Sequence, residues 1–449
     1  MSSLNMLINK AIFHEYDVRG IYPEDFNKEA ARQIGRVFAD YTKAKKVLIG
    51  RDTRLSGQDI FDGLAQGLIE QGVDVFDAGL VPIDFVYSMT AKNGYDAGIM
   101  ITASHNPKEY NGLKMFQYSG KPWIEWVNGK TIKEIINKEI KLVVKQGKIE
   151  KVDYWQKYIE HIFSFVDKEK IKPFKILIDA GNGAAAKVIP LIEKYLPCKI
   201  IRHFFKTDGT FPDRLLNPVE IEVAKKIGEE VVKEKADFGV AFDGDSDRIV
   251  LIDENGEPLL GDSQILLLAK EMLKKEPGAT IVYNVGISRI VPETITKMGG
   301  KYIKTRVGFC YNMKALIENQ GIVSGELSCH FAFRDNFYAD SGFVALLILL
   351  EIISQENKPL SEIVKEYRVY YKIHEPSVKV MDKEKTFAIL KEKYADGRID
   401  EMDGVTIEYP DWWFNVRPSN TEPVIRLTIE AKTKELLEEK LREIKSFIK

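Results

Sequence analysis

Short apolar runs alternate with longer stretches of helical hydrophobic spacing through the first three-quarters of the chain. Residues 47–50, Val-Leu-Ile-Gly, predict a strand; residues 58–71 predict an amphipathic helix, and residues 73–76 the strand after it. The same pattern gives strands at 96–101, 113–116, 175–179, 236–241, 249–252, 280–283 and 321–324, with a further helix starting near Gly183. Alternation of this kind belongs to βαβ units with mixed or parallel sheets. The longest apolar run, 343–350, stops at Glu351. It predicts a buried helix, being far shorter than the roughly 20 residues that span a bilayer. Beyond residue 375 the pattern changes to separated strands and one terminal helix over 432–448, an α+β arrangement. Polar or turn-forming stretches at 141–151, 253–256 and 365–375 are the candidate domain boundaries.

Three of the predicted strands run straight into polar loops. The first loop is Thr102-Ala103-Ser104-His105-Asn106-Pro107. Pro107 stops the strand from continuing, and Asn111-Gly112 is expected to turn the chain before the next strand. Ser104 is thereby displayed at the mouth of an α/β sheet, where such folds place their chemistry, as a candidate nucleophile or phosphate carrier. The second loop is Asp243-Gly244-Asp245-Ser246-Asp247-Arg248. Its alternate carboxylates can converge on one hard cation, and Gly244 permits a tight loop. Arg248 stands where an EF-hand needs glycine, so Mg2+ with few protein ligands and a phosphate oxygen is the better match.

The third loop is Gly325-Glu326-Leu327-Ser328-Cys329-His330. An extended backbone would point Glu326, Ser328 and His330 the same way, suited to sugar hydroxyls and to proton transfer by the histidine. A fourth loop, Arg417-Pro418-Ser419-Asn420-Thr421-Glu422-Pro423, combines a guanidinium, hydroxyls, an amide and backbone N–H groups into an anion nest, with Arg426 as a second cation. Arg19, and Arg51-Asp52 with Arg54, offer further positive charge or plain structural ion pairs. Gly181-Asn182-Gly183 lacks the third glycine of a dinucleotide fingerprint and reads as a structural turn.

At 449 residues the chain is too long for one core, and length alone suggests about three domains, with two or four also compatible. A net charge of −2 provides no basic field for nucleic acid or an anionic membrane, so an anionic ligand must be held by local arginines and lysines. Cys198, Cys310 and Cys329 lack metal-ligand spacing and fit a reducing, cytoplasmic compartment. The first residues carry no signal-peptide pattern.

The four loops, in this order and one per inferred domain, resemble the α-D-phosphohexomutase family, in particular the phosphomannomutase/phosphoglucomutase enzymes. Glu15-Tyr16-Asp17-Val18-Arg19-Gly20 and Gly50-Arg51-Asp52-Thr53-Arg54 extend the resemblance to nearly the whole chain. It implies four domains around a central cleft: three similar mixed α/β domains at 1–150, 151–254 and 255–366, and an α+β domain at 367–449. It implies a phosphoserine at Ser104, and one Mg2+ per chain on Asp243, Asp245 and Asp247 with Ser104 as a further ligand. Lys114 and His330 become the proton-transfer candidates, with Arg19 and Arg248 fixing them and the phosphoryl group. Glu326, Ser328 and His330 would hold sugar hydroxyls; Arg417, Ser419, Asn420, Thr421 and Arg426 would hold the phosphate not being transferred.

The implied reaction interconverts hexose 1-phosphate and hexose 6-phosphate, of mannose and/or glucose, through a hexose 1,6-bisphosphate that also serves as primer. A phosphosugar is the expected partner, with no nucleic acid or membrane, in a monomer or homodimer. Several residues depart from the family pattern. Phe309 follows Thr305-Arg306-Val307-Gly308 where a histidine is common, Gly286 stands where lysine is common, and Cys329 replaces a glycine. Ile83-Asp84 stands where Thr-Pro is common and reads as structural. Phe309 and Gly286 motivate an alternative, a phosphosugar-binding protein with reduced turnover. A phosphoglucosamine mutase, against which Leu327 counts, and a serine-phosphate hydrolase are the other competing readings.

Overall fold

Ala97–Ile101 and Phe238–Phe242 are buried at every position and form inner strands of two separate sheets. Runs without alternation are what a strand covered on both faces requires. The computed structural model describes residues 8–448 apart from 139, 142, 381 and 419–423, with the backbone alone over 375–378. The chain divides into two compact units, Met1–Leu259 with His330–Leu360, and Leu260–Cys329 with Ser361–Lys449.

In the first unit, one sheet has the order Val18–Ile21, Tyr110–Gln117, Ala97–Ile101, Lys46–Arg51, Asp74–Leu80, Ile149–Lys151. Lys46–Arg51 pairs in parallel with both Ala97–Ile101 and Asp74–Leu80, while Tyr110–Gln117 runs antiparallel to Ala97–Ile101. The helices Lys28–Thr42 and Gly57–Ile69 pack against each other and close one core, with Phe26, Ile34, Phe38, Leu64 and Leu68 inside it. Asn111 and Gly112 do not form the expected turn. They lie within Tyr110–Gln117, opposite Gly20 and Arg19, because the buried Asn111 side chain finds a partner in Ser56 Oγ at 2.8 Å. The chain reverses earlier, over residues 104–109.

The second sheet of this unit has the order Pro258–Leu259, Ile249–Ile252, Phe238–Phe242, Lys175–Asp179, Lys199–His203. The apolar run near residue 345 is a buried helix, Gly342–Glu356, as its composition requires. It packs on Ile249–Ile252 and on the helix Trp155–Phe163, so residues far along the chain complete the first unit. Its N-cap Ser341 accepts from Val344 N–H at 3.0 Å and donates to Asp84.

In the second unit, Thr280–Asn284 pairs in parallel with Lys301–Thr305 and Val323–Gly325. A separate sheet is antiparallel throughout, in the order Tyr371–Val378, Ile425–Ala431, Trp412–Pro418, Val405–Glu408, Arg398–Asp400. The helices Lys383–Lys393 and Lys434–Phe447 cover it around Phe414, Ile407, Leu427 and Ile444. The chain therefore carries the α/β modules and the C-terminal α+β module that its hydrophobic pattern predicts. Among the described residues no helix is long and apolar enough to cross a membrane.

Candidate active site

The site in the first unit forms where strand ends meet. Ser104 follows Ala97–Ile101, the Asp243 loop follows Phe238–Phe242, and both lie at the C-terminal ends of strands in parallel pairs. The two loops approach closely: a Cβ on Gly244 would stand 2.7 Å from the Ser104 carbonyl oxygen, so glycine is required there. Ser104 Oγ donates to Asp243 Oδ2 at 2.8 Å and lies 3.2 Å from His105 Nδ1. Ser104 adopts a left-handed backbone with φ of 50°, uncommon for a residue other than glycine.

Asp243, Asp245 and Asp247 are buried, and one carboxylate oxygen from each lies within 4.8 Å of the others. Asp245 Oδ1 is a buried acceptor with no hydrogen-bond partner. An all-oxygen donor set with an unsatisfied acceptor fits a hard divalent cation. Burial, reinforced by Asp247 and Asp245, holds the Asp243 carboxyl well above the usual carboxylate range. Burial pushes Asp247 the same way, but Lys114 and His330 outweigh it and keep that group well below the range.

Lys114 reaches the cluster from the neighbouring strand. Its Nζ donates to Asp245 Oδ2 at 2.8 Å and to Asp247 Oδ2 at 2.6 Å. Burial alone would discharge the amine; Asp245, Asp247 and Asp340 instead hold it firmly protonated. Arg248 Nε donates to His330 Nε2 at 3.2 Å, and Arg248 Nη1 donates to Asn217 Oδ1 at 3.1 Å. His330 Nε2 is also 3.2 Å from Asp247 Oδ1. The imidazole nitrogen thus sits between a donor and an acceptor, placed to carry or release a proton. Arg19 Nη1 donates to Asn106 Oδ1 at 2.6 Å, and Nη2 pairs with Asp17.

Ser104, the three aspartates, Lys114, His330, Arg19 and Arg248 therefore gather in one unit. Sequence reading passed over four neighbours that the fold adds: His105, Asn106, Asn217 and Asp340. His105 is neutral, held well below its ordinary range by burial and then by Arg248 and Arg19. Asp340 comes within 4.8 Å of Asp247 and His330, and burial followed by Asp247 holds its carboxyl well above the usual range. His105 and Asn106 were legible in principle, since they stand in the serine loop itself.

In the second unit Glu326 Oε2 accepts from Ser328 Oγ at 2.9 Å and Oε1 accepts from Asn312 Nδ2 at 3.3 Å. The expected extended run over 326–330 is not what forms. The strand ends at Gly325, a turn follows, and Cys329 is left-handed with φ of 64°. Glu326 and Ser328 are brought together by this turn rather than by strand alternation. Asn312, from the helix Phe309–Glu318, orients the carboxylate and carried no sequence signal.

Arg417 and Arg426 are cross-strand partners. Burial, then the charges of Lys372, Arg417 and Arg426, push the His374 imidazole down to about 3, which marks a locally positive field. Ser419, Asn420 and Thr421, expected in the anion nest, lie outside the described residues.

Family models cover the chain in sequence order. Those for the phosphoglucomutase/phosphomannomutase alpha/beta/alpha domains I, II and III match residues 10–142, 156–256 and 260–370, and the C-terminal domain matches residues 375–445. The chain is 37% identical to a phosphomannomutase of Methanocaldococcus jannaschii over 444 residues, covering 97% of each protein. It is 33% identical to an Escherichia coli phosphomannomutase over 450 residues, covering 97% of this chain and 99% of the relative. A crystal structure of a phosphoglucomutase/phosphomannomutase family protein from Burkholderia thailandensis is similar with a TM-score of 0.88 and 30% identity, over 98% of this chain and 97% of that one. Four matched domains and full-length relatives show that the chain belongs to the phosphoglucomutase/phosphomannomutase family.

Proposed function

We propose that the protein is a phosphohexomutase that interconverts hexose 1-phosphate and hexose 6-phosphate, of mannose and/or glucose, with Ser104 as the phosphoryl carrier. The observation that carries this reading is the buried Ser104 hydroxyl, 2.8 Å from Asp243 and beside two further aspartates and Lys114. The names of the relatives, phosphomannomutases, support the substrate class.

In this reading phosphorylated Ser104 donates its phosphoryl group to the 6-hydroxyl of a hexose 1-phosphate. The resulting 1,6-bisphosphate turns over, and its 1-phosphoryl group returns to Ser104. His330 accepts and returns the hydroxyl proton through the nitrogen that Arg248 and Asp247 flank, whereas Lys114, expected to share that role, is kept protonated by Asp245 and Asp247 and acts as a fixed positive charge beside them. Arg19 and Arg248 balance charge on the transferring group, which supplies much of what phosphoryl transfer needs. Asp243, Asp245 and Asp247 would hold one Mg2+ per chain with a Ser104 phosphoryl oxygen. When bound, it neutralises charge that develops on the transferring oxygens. Glu326 and Ser328, with His330, hold sugar hydroxyls; Arg417, Ser419, Asn420, Thr421 and Arg426 hold the distal phosphate. The domain limits 1–150, 151–254, 255–366 and 367–449, a cytoplasmic setting, and a monomer or homodimer complete the reading.

A coupled assay with mannose 1-phosphate and glucose 1-phosphate, Mg2+ and a hexose 1,6-bisphosphate primer tests it. Production of the 6-phosphate is expected. Failure to turn over any hexose 1-phosphate rejects the enzyme reading, and release of inorganic phosphate favours a hydrolase.

A further inference from the structure

Both peptide groups of Ser104 belong to a closed ring of buried hydrogen bonds. Ser104 N–H donates to Thr102 Oγ1 at 2.8 Å, and the Thr102 hydroxyl donates to Asp52 Oδ2 at 2.7 Å. Arg54 Nε donates to the same Asp52 oxygen at 3.1 Å, and Arg54 Nη2 closes the ring on the Ser104 carbonyl at 2.9 Å. Asp52 Oδ1 is used as well, accepting from Arg54 N–H at 3.0 Å.

The remaining guanidinium donors grip the turn that follows. Nη2 also donates to Asn106 O at 2.7 Å, and Nη1 donates to Pro107 O at 2.7 Å and Tyr110 O at 2.8 Å. All five N–H directions of the planar fork thus end on protein acceptors. Phe211 covers the group, its ring centre 5.3 Å from the guanidinium carbon. The Arg54 and Asp52 side chains are both 0% exposed. None of Arg54's donors is left for a substrate phosphate, so its charge serves the loop.

The restraint has an object. A left-handed serine persists only where its surroundings over-determine it, and four carbonyls held by one rigid fork do so. Relaxation of this turn would swing Ser104 Oγ away from Asp243. A lysine cannot substitute, because a single ammonium has three donors and no fork to span these carbonyls.

We propose that Arg54, oriented by Asp52 and Thr102, is the positioning residue that sets the backbone of the phosphoryl carrier and aims its hydroxyl at the aspartate cluster. This rests on Ser104 as the carrier. The test compares wild type with Arg54→Lys and Thr102→Val, using steady-state kinetics, intact-mass measurement of serine phosphorylation, and thermal denaturation. Arg54→Lys is expected to lower kcat by about 100-fold with KM held within about threefold, as misplacement of a reacting atom does. Thr102→Val keeps the side-chain shape but deletes the acceptor for Ser104 N–H, and kcat falls by about 10-fold. Both variants still acquire phosphate on Ser104. A folded Arg54→Lys variant with near wild-type kcat, or with only KM raised, overturns the proposal. Where that variant does not fold, an unchanged kcat in Thr102→Val overturns it. Failure of the carrier reading looks different: wild type then carries no phosphate, and Ser104→Ala turns over normally.

Discussion

Ser104 Oγ donates to Asp243 Oδ2 at 2.8 Å, joining residues 139 positions apart in the chain. The contact makes one site from two sheets, since each partner is the product of its own strand end. It also explains why cations are drawn into the site, Arg248 buried and Lys114 and Arg19 partly so. Three carboxylates withdrawn from water need compensation, and Lys114, Arg19 and Arg248 supply it.

Lys114 is the first place to break this balance. Lys114→Met leaves Asp245 and Asp247 buried without their ammonium partner, at a cost of about 3–5 kcal/mol. The melting temperature should fall, and added Mg2+ should recover more of it than Mg2+ adds to wild type. Equal melting temperatures for variant and wild type without Mg2+ would mean that the pair contributes nothing.

Asp84, a buried carboxyl on which the Asp247 charge also acts, gives a pH signature. Burial pushes its carboxyl from 3.8 up to about 7, against the hydrogen bonds from Ser341 and Tyr158. A raised folded-state value means that the group favours folding at low pH, and this contribution is lost as pH rises through about 7. Asp84→Asn mimics the neutral form. Its stability relative to wild type should therefore rise between about pH 4 and pH 7, by as much as about 4 kcal/mol. Denaturation curves that stay parallel for the two proteins across this range would contradict the buried-carboxyl account.

Gly261 tests the sugar loop. A Cβ there would stand 1.9 Å from the Glu326 carbonyl oxygen, so the backbone must move. Gly261→Ala should displace Glu326 and Ser328 and raise KM for the hexose phosphate by about tenfold or more. An unchanged KM would remove this loop from sugar recognition.

Metal dependence follows from the donor set. Chelation should abolish turnover and Mg2+ should restore it, while Asp245→Asn weakens Mg2+ binding measured directly by calorimetry. Turnover that survives exhaustive chelation would leave the aspartate cluster as a charge-balancing network only.

What could be read in the sequence was what lies in continuous segments. The serine and aspartate loops each follow an apolar strand, so order along the chain already placed them at a sheet mouth. The buried helix Gly342–Glu356 was equally plain, but its membership of the first unit was not, because an all-apolar surface does not name its partner. Asn312 was invisible for a related reason. An asparagine inside a helix signals nothing until the fold turns it toward Glu326. The extended reading of residues 326–330 failed because the strand stops at Gly325 and a turn leads into the left-handed Cys329, where the residue types gave no warning. Asn111-Gly112 misled in the opposite direction, a turn-forming pair held in a strand by Ser56 and by its partners Gly20 and Arg19. For Arg54 the structural ion pair with Asp52 was among the sequence readings, but its grip on the serine loop was not, since its carbonyl partners come together only when the loop closes.

The central claim is that phosphate passes between Ser104 and the sugar. Its most direct measurement is a single-turnover experiment on enzyme carrying radiolabelled phosphate, mixed with unlabelled mannose 1-phosphate or glucose 1-phosphate and Mg2+. The account predicts that label leaves Ser104 and appears in hexose bisphosphate and then hexose 6-phosphate, and that Ser104→Ala takes up no label. Label that stays on the protein, or leaves only as inorganic phosphate, would contradict it.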